Sequence, residues 1–202
     1  SYPLVVFLHG AGERGTDNKA QLVHVVSIFC KPENRRDFPC FVLVPQCPQD
    51  QQWVKTPWAA SRGSQPKQPS WPMALVLQLI NALEKENSID SKRLYVMGIS
   101  MGGYGTWDVV SRHPERFAAA VPICGGGDET KAAAIAAIPI WAFHGAKDDV
   151  VKPIRSRNMV AAMKKAGGQP KYTEYPDAGR DSWSQASAEK ELLPWLFEQK
   201  RP

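Results

Sequence analysis

The chain predicts an α/β protein built on a largely parallel sheet of about six strands with helices on both faces. Three observations carry that reading. Strand-like and helix-like runs alternate along the 202 residues. Strand candidates such as 3–8 and 41–45 are apolar without alternation, as strands buried on both faces must be. Glycine-rich and acidic segments fall at the strands' carboxyl ends, where open α/β sheets bind ligands.

The elements follow in order. Residues 3–8 form the first strand and end in the loop His9-Gly10-Ala11-Gly12-Glu13-Arg14-Gly15. A helix is expected over 18–29, with Leu22, Val25, Val26 and Phe29 on one face. The second strand is 41–45. Residues 46–71, rich in Gln, Pro, Ser and Trp, make a loop of a length that usually goes with function or mobility. Pro72 opens a helix with Leu75, Leu79, Ile80 and Leu83 at helical spacing, ending near Asn87. Residues 94–98 are the third strand and 101–112 the helix after it. A fourth strand (117–123), a short helix (131–138) and a fifth strand (140–143) lead to the loop His144-Gly145-Ala146-Lys147-Asp148-Asp149. A helix over 154–166 is stopped by Gly167-Gly168. Residues 171–175 alternate as an edge strand does, and a last helix over 184–199 is kinked or broken by Pro194.

Hydrophobic residues at 43% and charged ones at 22% suit a single globular domain over 1–202, long enough for one sizeable core. The net charge of +5 comes from scattered Lys and Arg, with the longest basic cluster at 31–36, and reads as solvated surface. No nucleic-acid partner is expected. No apolar run has transmembrane length and no signal peptide is present, so no membrane partner is expected either. The chain is in a core-like strand by Leu4, which reads as a cut piece or a processed product. Cys40 and Cys47 flank a strand and stand about 20 Å apart at roughly 3.3 Å per residue, beyond disulfide reach. Cys30 and Cys40 could close a loop, but free thiols suit the four cysteines as well. No spacing reads as a zinc site, and neither metal nor cofactor is expected.

Chemistry concentrates at Gly98-Ile99-Ser100-Met101-Gly102, a G-x-S-x-G turn between a strand and a helix. Acyl transfer needs a nucleophile, a base, a carboxylate to orient the base, and donors for the oxyanion. Ser100 is the candidate nucleophile. The Met101 N–H is one candidate donor, and Ala11, or Gly12, supplies a second from the loop after the first strand. That loop lacks the Lys-Ser/Thr ending of a phosphate cradle. Asp148 is preferred to Asp149 as the carboxylate. Trp53, with Gly10 and Gly12, is placed against the substrate. Trp58 and Trp71 are further candidates, although all three tryptophans could equally wedge the loop onto the body.

With these residues in place the chain resembles the α/β-hydrolase serine esterases, closest to the lidless carboxylesterase/phospholipase, feruloyl-esterase-like and polyhydroxybutyrate-depolymerase-like branch. The likeness runs through Leu8-His-Gly-Ala-Gly-Glu-Arg-Gly15, Asp17-Asn18 with Gln21-Leu22, Val44-Pro-Gln-Cys-Pro48 with Trp53, the elbow itself, and His144-Gly-x-x-Asp148-x-x-Val151. It implies Ser100 as nucleophile, Asp148 as the acid, export from the cell, and two strands that normally precede Pro3.

One position departs from the pattern. Where the family carries its histidine, this chain reads Asp177-Ala-Gly-Arg180-Asp-Ser-Trp183. Arginine stays protonated and cannot accept the proton of Ser100, though it could pair with Asp148 as a fixed cation. Of the four histidines, His9 and His144 are expected to brace their loops and His113 to lie too far away. His24 is the one substitute, with nothing to bring Asp148 near it. Without one triad member, roughly a 10³–10⁴-fold acceleration over water can remain. The expectation is therefore a carboxylesterase for short-chain, aryl or carbohydrate-linked esters with curtailed turnover. The alternative is a non-catalytic ester- or carbohydrate-binding module.

Overall fold

The computed structural model describes residues 1–202. Its six strands, β1 (Tyr2–Leu8), β2 (Phe41–Leu43), β3 (Ile89–Ile99), β4 (Ala119–Ile123), β5 (Trp141–Gly145) and β6 (Lys171–Tyr175), form one sheet in the order β2-β1-β3-β4-β5-β6. Every pairing is parallel, and β6 lies at an edge as its alternation requires. The apolar run of β1 shows why the sheet is covered twice. Leu4, Val6 and Leu8 enter one core with Met73, Val76 and Trp107, while Val5 and Phe7 enter the other with Phe29, Ala186 and Leu196. Each such Val, Leu, Phe or Met side chain contributes about 1.5–3 kcal/mol by leaving water.

Helices α1 (Pro32–Asp37), α2 (Trp71–Glu86), α3 (Met101–Arg112), α4 (Ile154–Lys165), α5 (Trp183–Ala188) and α6 (Leu192–Glu198) complete the fold. The Ser70 hydroxyl accepts from Met73 N–H and caps α2, and Asn87 closes it, close to the bounds read from the sequence. No helix is long and apolar enough to cross a membrane.

Several local expectations give way. The helix expected over 18–29 is a series of turns followed by a 3-10 helix, His24–Cys30. The Asp17 carboxylate takes the N–H groups of Lys19 and Ala20 at 3.0 and 3.1 Å, and Asn18 and His24 turn to positive φ. Local side-chain hydrogen bonds have outcompeted the helix there. The segment read as a basic cluster overlaps α1, which Pro32 opens. The short helix after β4 is a 3-10 turn, Glu129–Ile135. The last helix is two. A proline at 194 excludes helical continuity with Lys190, so the chain breaks just upstream and Pro194 sits in the first turn of α6. All four cysteines are free.

On the edge strand, Arg157 of α4 holds Glu174 at 2.6 and 2.8 Å. Those bonds outweigh partial burial and, with the Tyr172 hydroxyl, bring the Glu174 carboxyl from 4.5 to about 2. A depressed carboxylate adds stability in full above its unfolded value and loses it as pH falls through the folded one. The contribution of Glu174 should therefore fade between pH 4.5 and about 2. Urea midpoints against pH should fall less steeply in that window for Glu174→Gln than for the parent; parallel curves would contradict the assignment.

Candidate active site

Ser100 stands between β3 and α3 at φ 53 and ψ −114. A non-glycine residue there carries strain that its surroundings must hold. Two backbone bonds do so: Ser100 N–H donates to Ile123 O at 2.9 Å, and Tyr104 N–H donates to Ser100 O at 3.1 Å. The flanking glycines are steric necessities. A Cβ on Gly98 would stand inside van der Waals contact of Gly102 O, and one on Gly102 would overlap Leu8 O and lie 2.8 Å from His9 O. That close approach sets the start of α3 directly against the loop leaving β1.

Each carries a candidate donor. Met101 is the first residue of α3, and its N–H belongs to the group that a helix leaves unclaimed. Ala11 begins a one-turn 3-10 helix, Ala11–Glu13, in the neighbouring loop. His9 fixes that loop. Its Nε2 accepts from Cys47 N–H at 2.8 Å, so the proton is on Nδ1, which donates to Gly10 O at 2.6 Å. Burial lowers its pKa and keeps the ring neutral. Gly12 is exposed and open on its Cβ side. Gly10, expected against the substrate, is instead buried with the Glu13 carboxylate and Ile99 over it, so it offers no surface.

Trp53 also departs from expectation. It is 1% exposed, donates from Nε1 to His9 O at 3.0 Å, and packs edge-on to the His9 ring at 5.2 Å. It wedges the long loop onto the body, because its large apolar surface gains more in the core than at an open rim. The rest of that loop is tied down as well. Gln65 bonds Asp108, Arg112 reaches Pro66 O, and Tyr104 hydroxyl donates to Trp58 O. Trp71 stands half-exposed at the start of α2.

Asp148, in the turn after β5, is 3% exposed. Its Oδ1 accepts from Val150 and Val151 N–H, both at 2.9 Å. Its Oδ2 makes no hydrogen bond and lies 3.5 Å from His144 Nε2. Burial pushes its carboxyl up, but His144 and the two N–H groups outweigh this and hold it below its ordinary value. Asp149 is exposed.

Arg180 is exposed and makes no ion pair with Asp148, a pairing its charge had left open. The reason is solvation: a guanidinium drawn to the buried Oδ2 would lose its water shell, at a cost that pairing only partly offsets. The three segments nevertheless meet. Cys124, buried at the end of β4 with φ 41, lies beside Ser100 and Ser182 and feels the charges of Asp148 and Arg180. Burial dominates and pushes its thiol up to about 12, so it stays protonated. Sequence reasoning gave neither Cys124 nor the buried Ser182 a place here; the only signal was a thiol closing a buried strand.

The remaining histidines are placed by their neighbours. His113 caps α3 beside Glu115. His24 Nε2 lies 3.5 Å from Glu13 Oε1, and its ring rests on Trp183 at 5.4 Å. Its carboxylate neighbour is Glu13 rather than Asp148.

Sheet order, elbow and loop placement define an α/β-hydrolase fold. The chain belongs to the dienelactone hydrolase family, whose sequence profile matches residues 50–188. A thermostable esterase of known structure superposes with TM-score 0.91 at 43% identity, covering 100% of this chain and 56% of that one. A bifunctional acetylxylan esterase/xylanase of Neocallimastix patriciarum is 38% identical over 76 residues, 38% of this chain and 11% of that protein. A secreted protein of Arthroderma benhamiae is 25% identical over 221 residues, covering 90% of this chain and 21% of that protein. The chain thus spans a minor part of these two curated relatives. Family and fold place it among the α/β-hydrolases of the dienelactone hydrolase type.

Proposed function

We propose that the chain is the hydrolytic domain of a serine carboxylesterase that works through an acyl-enzyme, with turnover curtailed because Arg180 stands where a base is needed. Ser100 is the nucleophile, Met101 and Ala11 N–H groups receive the oxyanion, and Asp148 is the acid. The observation that carries this reading is the strained Ser100, locked at the start of α3 beside the Ala11 loop. The acetylxylan esterase relative favours short acyl groups on carbohydrate, and the secreted relative favours an extracellular location. Gly12 is the loop residue left open to substrate.

A serine-reactive fluorophosphonate followed by mass spectrometry tests the nucleophile. Slow stoichiometric labelling of Ser100 is expected, abolished in Ser100→Ala and accelerated in Arg180→His. A folded chain that stays unlabelled even as Arg180→His would favour the second reading, a module that binds esters without cleaving them. That reading draws on Asp148 Oδ2, which has no hydrogen-bond partner.

A further inference from the structure

Beneath the candidate acid runs a buried chain of polar groups that the proposed chemistry does not use. His144, at the end of β5, is wholly buried. Its Nε2 lies 2.8 Å from Val151 O and its Nδ1 lies 2.8 Å from Ser156 Oγ. Ser156 Oγ in turn lies 3.1 Å from Gly125 O. The line from Val151 O to Gly125 O therefore contains three links, and both of its ends are carbonyl oxygens, which only accept. A neutral imidazole and a hydroxyl bring two protons to three links. One is missing.

We infer that His144 carries a proton on both ring nitrogens and is the positioning residue that holds Asp148 as an oriented carboxylate. The third proton completes the line: Nε2–H donates to Val151 O, Nδ1–H donates to Ser156 Oγ, and Ser156 Oγ–H donates to Gly125 O. The counter-charge is in place, since Asp148 Oδ2 lies 3.5 Å from Nε2 and has no hydrogen-bond partner. A buried ion pair survives only if its remaining polar atoms are satisfied, and Val150 and Val151 N–H do that for Oδ1.

Other charges near the ring are spent elsewhere. Glu174 on β6 stands in register with His144, and Arg157 of α4 neutralises it. Arg155 of α4 faces Glu129 at 3.6 Å. Burial raises the Cys124 thiol at the end of β4 and the Tyr104 hydroxyl on α3, so neither contributes charge. Asp148 is left as the partner. The line also has mechanical consequence, because Gly125 packs backbone to backbone on Gly103 of α3; a Cβ on Gly125 would lie 2.5 Å from the Gly103 carbonyl carbon. The acid turn is thereby tied to the helix that carries Ser100.

Nitrogen-15 labelling of the histidines in the intact chain tests the protonation directly. Both ring nitrogens of His144 should bear protons at about pH 8, where an ordinary histidine has lost one. A bare nitrogen at that pH would overturn the inference. Ser156→Ala removes the acceptor of Nδ1–H, so the ring should lose that proton at lower pH than in the parent; an unchanged titration would also overturn it. The positioning half rests on the proposed catalytic reading and is tested in Arg180→His. Adding His144→Gln there removes a cation near the new base, which should then hold its proton to higher pH. The acid limb of kcat/KM should move up by about one pH unit or more. An unmoved limb in a folded double variant would refute that half. The ring measurement needs no catalysis, so it decides the protonation whether or not Arg180→His gains activity.

Discussion

Arg180→His should raise kcat/KM on short p-nitrophenyl esters by about 10²–10⁴-fold, the usual worth of a positioned general base. The parent has Ser100 at a strained elbow and Asp148 ionised nearby, yet position 180 holds a group that can only donate. On the proposed reading, an imidazole there would take the serine proton with one nitrogen and donate to Asp148 Oδ2 with the other. That oxygen lacks a hydrogen-bond partner in the parent, so the new bond displaces none. The gain should carry a pH signature. Because the base works unprotonated, activity should climb as pH rises through the histidine range near 6.5, a limb absent from the parent. Assays on the purified variant, with circular dichroism to confirm folding, settle the matter. A folded variant with parental rates would sink the idea that position 180 is the base position.

Where the sequence could be read and where it could not follows from how local the forces are. The six strands and the helices around Ser100 were legible because apolar runs and glycine spacing report directly on burial and close approach. Ser100, Met101 and Asp148 stood at strand ends for the same reason. The helix over 18–29 failed because Asp17 competes for backbone N–H groups, which apolar periodicity does not register. Trp53 and Gly10 were misplaced because an amphipathic ring and a loop glycine suit a binding rim and a packed floor alike; only the tertiary partners His9 and Glu13 decide. Whether Arg180 would pair with Asp148 was open in the sequence, since opposite charges say nothing of which one is buried. The ring of His144 against Asp148 was half visible: a brace was expected, but not its link through Ser156 to Gly125.

Gly102→Ala should be the most damaging single methyl that can be added near the site. Its Cβ would overlap Leu8 O and stand 2.8 Å from His9 O, and neither is a flexible side chain that can swing aside. Relief requires moving the end of β1 or the start of α3, and both are locked by the sheet and by Ser100 N–H on Ile123 O. Overpacking of this kind costs about 3 kcal/mol or more, equivalent to a fall of roughly 6–12 °C in Tm for a domain of this size. The second consequence separates packing from chemistry. Displacement of the β1 loop moves Ala11 away from Met101, so in the Arg180→His background the oxyanion donors should come apart. Losing one such donor costs about 10²–10³-fold in kcat. Calorimetry and steady-state assays well below the lowered Tm should show both losses together. A Tm within about 2 °C of the parent, on the same scale of roughly 2–4 °C per kcal/mol, would show that the contact between Leu8 O and α3 yields more readily than its geometry implies. The loop of Ala11 could then move independently of the elbow, and the two donors proposed for the oxyanion would lose the rigid spacing on which their assignment depends.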